Sequence, residues 1–442
     1  MANETYTLIQ KTTLNASAAS ITFSSIPQTF TDLIVRYSVR GSTSNSITTG
    51  IRFNNSTTNY SERLLYTTGS GALSASTSAQ QIGWGLCNDS TTTANTFANG
   101  EFYIPNYTSS NFKSVSSDSV TENNATAASI YVDAGLWSDT SAITTITVLV
   151  NSDNYVQYSS FSLYGVAKQG VNPVAGPKAT GGDIITNDGT YWIHQFLNSG
   201  TFIPNQPLST GYLVVAGGGG GGGQIGAGGG AGGLRSTVTA TGGGGTLESA
   251  LSVTAQSYAI TVGAGGAGSL SATVKGSNGA DSIFSTVTSV GGGGGCSNNA
   301  GTTGNSGGSG GGGDNGTGIG GAGTANQGYA GGGSTGNAAG GGGGAGAVGA
   351  TTSTATGGAG GIGVAVAITG SSTYYAGGGG AAGYLASGGA GGNGGGGTGG
   401  NYDTVNGTSG TSNTGGGGGG NRDVGGTVAN GGSGIVIIRY PI

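Results

Sequence analysis

Runs of glycine fill the second half of the chain, and they exclude an ordinary side-chain core there. All but 15 of the 103 glycines lie beyond residue 200, gathered at 217–223, 226–233, 307–313, 340–344, 388–400 and 415–420. Fixing one residue costs about 1–2 kcal/mol of backbone entropy, and glycine stands at the unfavourable end because its unfolded chain is the freest. Two physical solutions remain. One is a flexible Gly/Ser tract without fixed structure. The other is a bundle of polyglycine II helices, each with the three-residue turn and about 3.1 Å rise of polyproline II, a geometry with no internal hydrogen bonds. Every N–H and C=O then points outward, and rods lacking Cβ atoms can come close enough to pair them.

Three features favour the ordered bundle. Short stretches rich in Ser, Thr, Asn, Ala and Tyr, which are turn formers, interrupt the runs. Two β-prone segments, Tyr212 to Val215 and Ile435 to Arg439, bracket the region and read as paired strands closing it. Charge is nearly absent, with four basic and five acidic residues after position 200, whereas disordered tracts are usually charged or proline-rich.

The 442 residues suggest two or three domains. A net charge of −5 argues against a nucleic-acid partner, which calls for a basic patch. Only 7% of residues are charged, against about 25% in a typical soluble domain, so the surface is built of Ser, Thr, Asn and Gly. The first residues carry neither the basic nor the apolar region of a signal peptide, so synthesis in a cytoplasm is expected. Cys87 and Cys296, far apart, read as free and buried.

Residues 1–168 read as an all-β sandwich or jelly roll. In Thr31 to Arg40, Leu33, Val35, Tyr37 and Val39 share one face while Arg36 and Arg40 share the other. Similar runs recur at Ile51 to Phe53, Phe102 to Ile104, Ser129 to Val132, Ile143 to Val150 and Ser160 to Val166, separated by turn signals. No segment carries a helical period, so essentially no α-helix is expected. Residues 169–181, with Pro173 and Pro177, form the expected linker; 182–216 a β collar; and 217–442 the polyglycine II domain closed by a C-terminal strand.

Five elements of this second half stand in a characteristic order. They are Gly189-x-Tyr191-x-Ile193-His194-x-Phe196 with Gly200-x-Phe202, Tyr212 to Ala216 running into polyglycine, and Ile260 to Gly268. Gly276-x-Asn278-Gly279-x-x-Ser282-x-Phe284 and the terminal Gly432 to Tyr440 complete the set. The set resembles the glycine-rich domains of bacteriophage tail-fibre and adhesin proteins. The resemblance covers residues 182–442. It implies a sandwich of polyglycine II helices whose end loops contact a host receptor, a surface glycan or an outer-membrane protein. The N-terminal domain would attach to other virion proteins. The implied location is the virion, and a homotrimer is compatible with it, although no heptad repeat specifies one. A capsid-decorating head fibre is the alternative within that setting, and an ice-binding protein is the alternative from another class.

Catalysis finds little support in the residues. His194 is the sole histidine and sits in the Tyr-x-Ile-His-x-Phe segment, where a structural role is the simpler reading. No catalytic residue, metal ligand set or cofactor is assigned. Recognition by loops remains: Tyr329, Tyr374, Tyr375, Tyr384 and Tyr402, with Asn298, Asn299, Asn315, Asn401 and Asn406, interrupt the later runs. Tyrosine offers a rigid amphipathic ring at low entropic cost and the amide adapts its hydrogen bonds, so the pair suits stacking on a sugar and reaching its hydroxyls. Rods that run back and forth place alternate loops at opposite ends, and the sequence leaves open which set faces outward.

Overall fold

The computed structural model describes residues 6–43, 48–67, 71–121, 129–151, 153–166, 176–401, 407–422 and 427–442. Two compact units emerge. The first comprises residues up to Pro177 together with Asp183–Gly189, and the second Lys178–Gly182 with Thr190–Pro441. Among the described residues the only helical element is the 3₁₀ turn Gly242–Gly244.

Twelve strands alternate through the first unit: β1 Tyr6–Thr13, β2 Ser20–Phe23, β3 Asp32–Val39, β4 Thr48–Phe53, β5 Tyr60–Thr67, β6 Ala72–Ala79, β7 Ile82–Leu86, β8 Ala98–Ile104, β9 Lys113–Thr121, β10 Ser129–Trp137, β11 Ile146–Val150 and β12 Ser160–Val166. The larger sheet has the order β1-β12-β3-β8-β9-β10-β5-β6 and the smaller one β2-β11-β4-β7. Removing the hairpins β5–β6 and β9–β10 leaves 1-12-3-8 facing 2-11-4-7, with successive strands crossing from sheet to sheet except β4 and β7, which pair with each other. That is jelly-roll connectivity. The two hairpins extend the larger sheet beyond it.

Alternation builds the core as the sequence reading anticipates. Leu33, Val35, Tyr37 and Val39 of β3 are buried while Arg36 is exposed. They join Phe102, Trp137, Phe161 and Leu163 of the larger sheet against Phe23, Ile51, Phe53, Ile146 and Val148 of the smaller. Strand β7 is the free edge of the smaller sheet. Its amides are satisfied by side chains: Gly83 N–H donates to Glu62 Oε2 at 2.8 Å, Trp84 N–H to Asp133 Oδ2 at 3.3 Å and Leu86 N–H to Ser119 Oγ at 2.9 Å. Burial pushes both carboxyls up from their ordinary values.

The collar expected at 182–216 divides between the units. Ile184–Asn187 pairs antiparallel with β1, Ile185 opposite Lys11, because the edge of β1 offers unpaired backbone. The remaining strands belong to the second unit. So does the end of the expected linker: Ala179–Thr180 pairs with Ile203 and Pro204, and residues 167–175 lie outside the described residues.

In the second unit, Tyr191–Phe196, Ile435–Pro441, Leu208–Val215 and Leu234–Ser236 form an antiparallel sheet in that order. The pairing of Leu213 with Ile437 and Val215 with Ile435 is the predicted closure of the domain. One face packs Ile193, Leu213, Val215, Ile435 and Ile437 with Val364, Val366 and Tyr375. The other carries His194, Phe202, Tyr212, Phe284 and Tyr440, with ring contacts such as His194–Phe202 at 5.3 Å and Tyr212–Phe284 at 6.3 Å. Both His194 nitrogens are engaged, Nδ1 with the Gly181 carbonyl at 2.7 Å and Nε2 with the Tyr440 hydroxyl at 2.8 Å.

From Val215 the chain enters polyglycine, and the hydrogen bonds reveal its period. Gly217 and Gly220 N–H donate to Ala280 and Ser277, Gly218 and Gly221 to Gly432 and Ala429, Gly219 and Gly222 to Gly230 and Ala227. Each step of three residues moves the partner back by three, so those three neighbours run antiparallel. The carbonyls behave likewise. Gly217 and Gly220 accept from Gly292 and Gly295, Gly218 and Gly221 from Gly266 and Ser269, Gly219 and Gly222 from Gly418 and Asn421. These neighbours run parallel. The rod at 217–222 therefore has six neighbours and no unsatisfied backbone group, which is the threefold screw of polyglycine II in a hexagonal packing. Contact is so close that a Cβ on Gly221 would overlap the Gly419 carbonyl oxygen, and one on Gly222 that of Cys296. Residues with side chains occupy permitted directions: in the surface rod 263–269, Ala264 and Ala267 are exposed while Gly263, Gly266 and Ser269 are buried.

Candidate functional site

The central rod starts at the strands and points away from them, which gives the bundle two distinct ends. Turns at the end opposite the strands begin with Gln224 and Ile225, both at positive φ (51° and 60°). The neighbouring turns are tied together by backbone bonds. Asn298 N–H donates to Gly223 at 3.3 Å, Asn299 N–H to Ala272 at 2.8 Å, Asp314 N–H to Thr302 at 3.2 Å and Gly316 N–H to Gly336 at 2.7 Å. Thr335 N–H continues to Thr352 at 2.9 Å and Tyr384 N–H to Ala355 at 2.8 Å. Asn401 adds its side-chain carbonyl, which accepts from Gly388 N–H at 2.7 Å. The result is one connected surface of turns, rigidly based on a saturated lattice.

This surface brings together Asn298, Asn299, Asn315, Tyr384 and Asn401. Asn299 and Asn401 are exposed, and the other three are half-buried. Leu385, 55% exposed at φ 53°, stands beside Tyr384, and Val274 and Ile319 are also exposed on these turns. Sequence reasoning missed those apolar residues. Sequence alone does not separate them from Ile225, which also stands between glycine runs and is buried. Lys275 lies here too, its Nζ donating to the Thr303 carbonyl at 2.6 Å. Asp314 is buried and accepts from Asn315 N–H at 2.8 Å; burial pushes its carboxyl up to about 6.

The remaining candidates stand elsewhere. Tyr329, Tyr374 and Tyr375 are at the strand end, so the tyrosines do not form a single site. Tyr375 is 6% exposed and packs in the apolar core, which removes it as a contact residue. Its strand, Thr373–Tyr375, alternates faces, so Tyr374 projects outward at 47% exposure while Tyr375 turns in. Tyr402 and Asn406 lie outside the described residues.

A family model described as a glycine-rich domain matches residues 197–441. The chain belongs to the glycine-rich domain family. The match covers all the rods of the second unit and its strands from Gly200 on, leaving out Ala179–Thr180 and Tyr191–Phe196. No curated protein matches the chain. Among the described residues, no group of three or more His, Cys, Asp or Glu is placed to hold a metal ion in the glycine-rich domain or outside it. Both cysteines are free and buried, with Cys296 Sγ donating to the Gly301 carbonyl at 2.7 Å inside the lattice.

Proposed function

We propose that this protein is a virion fibre or adhesin component that binds a host-surface receptor through the turn end of its glycine-rich domain. The observation that carries the reading is the connected surface of turns from Ala272 to Tyr384, held on rods packed around the fully paired rod 217–222. Such a surface has lost its conformational entropy before it meets a partner, so binding does not have to supply it. Its chemistry is that of a low-charge paratope: Asn299, Asn315 and Asn401 offer amides, and Tyr384 with Leu385 offers an amphipathic patch. Recognition proceeds by hydrogen bonds and ring contacts with a glycan or an outer-membrane protein, without covalent chemistry. The jelly-roll unit attaches the chain to other virion proteins, since β-rich modules of this kind resemble those on phage appendages.

The test uses the labelled full chain on host bacteria. Saturable decoration is expected, with affinity falling at least tenfold in the double variant Asn299→Ala/Tyr384→Ala. Saturable decoration that the variant leaves unchanged would place the contact elsewhere. Absence of decoration would favour a head-decorating role.

A further inference from the structure

The hairpins β5–β6 and β9–β10 are additions to the eight strands of the jelly roll, and their outward face forms an open cleft of about 570 Å³. Most of its lining is small, Ala134, Gly135, Ser61, Ser76, Ser78 and Ser114, beside Leu136 and Glu62, whose carboxylate is engaged by Gly83 N–H and Trp84 Nε1–H. The register places Arg63 beside both Ala134 and Ser76, in the middle of the cleft. Its guanidinium is exposed and has no hydrogen-bond or ion-pair partner among the described residues. The other arginine projecting from this sheet, Arg36, is by contrast paired with Glu101 at 2.6 Å and packed over Tyr6 and Tyr164. Asp118 shares the outer face farther along β9, opposite Val132, and makes no ion pair with Arg63.

We propose that this cleft is a binding site for an acidic saccharide, with Arg63 holding a sugar carboxylate in a two-pronged contact and the serine hydroxyls meeting the ring hydroxyls. A planar guanidinium with free donors matches a carboxylate bidentately. The hydroxyls of Ser61, Ser76 and Ser114 supply the adaptable hydrogen bonds a saccharide needs. Neutral sugars would lack the central contact. The site is independent of the turn end of the glycine-rich domain and stands or falls separately from it.

Calorimetric titration of the full chain with oligogalacturonate, and with a maltooligosaccharide of equal length, tests this. Binding of the acidic sugar is expected, weakened at least tenfold by Arg63→Gln and partly retained by Arg63→Lys, which keeps the charge but not the fork. Ser61→Phe should block the cleft with the charge in place. The variant Asn299→Ala/Tyr384→Ala should bind oligogalacturonate as the parent does. No binding of oligogalacturonate at millimolar concentration, equal binding by Arg63→Gln, or equal binding of the neutral sugar would overturn the proposal.

Discussion

At the scale of single residues, two buried ionisable groups give the protein opposite responses to pH. His194 is neutral in the fold, its pKa lowered to about 4 from 6.5 by burial. Below pH 6.5 the unfolded chain binds a proton that the folded chain refuses, so the stability His194 confers is complete above 6.5 and is lost as pH falls toward 4. About 3 kcal/mol is at stake. Urea midpoints at pH 7.5 and 4.5 should show this loss, and His194→Gln should reduce it. Asp314 works the other way, because its pKa is raised from 3.8 to about 6. The fold holds that proton better than the unfolded chain, so its contribution is greatest below pH 4 and disappears as pH rises through 6. Asp314→Asn should therefore raise the urea midpoint at pH 8 and leave it nearly unchanged at pH 4. Glycine matters residue by residue too. Gly221→Ala drives a methyl into the Gly419 carbonyl and should cost about 3 kcal/mol or more, since backbone on every side prevents relaxation. Gly200→Ala meets only Phe196 at 3.5 Å and should cost under about 1 kcal/mol in the same assay.

Among the elements, the terminal strand Ile435–Pro441 joins Tyr191–Phe196 to Leu208–Val215 and so closes the glycine-rich domain across most of its length. Ile437 is fully buried at that seam, and Ile437→Ala should cost about 2–5 kcal/mol in equilibrium unfolding. This closure was legible in the sequence because both segments are β-branched runs next to glycine. The alternation of Leu33, Val35, Tyr37 and Val39 was legible for the same reason. β6, Ala-Leu-Ser-Ala-Ser-Thr-Ser-Ala, was not, since its composition fits a loop as well as a strand and only pairing with β5 determines it. Ile184–Asn187 was assigned to the collar because sequence proximity says nothing about which sheet edge is open. The candidate site was half legible. Turn residues could be recognised, but their end of the bundle depends on the direction of every preceding rod. The short rod Asn305–Gly308 runs antiparallel to 291–294 and the chain reverses right after it into the rod 309–312, a change of direction inside the glycine run 307–313.

For the whole molecule, the organising idea is a domain whose core is backbone. Six neighbours saturate the rod at 217–222, the side chains buried among the rods are small, as at Ala227, Ala231 and Ala381, and the turns become a fixed surface. Binding that resides in the turn end should survive Tyr374→Ala at the strand end, when host-cell decoration by the full chain is compared with that of the turn-end variant. The most direct test is amide hydrogen exchange of the full chain at neutral pH, followed at Gly218 to Gly222. Hydrogen bonding to Gly432, Gly230, Ser277, Ala429 and Ala227 predicts exchange slowed by about 10⁴ or more against an unstructured glycine chain. Exchange at the unstructured rate would contradict the lattice and, with it, the preorganised surface on which receptor binding rests.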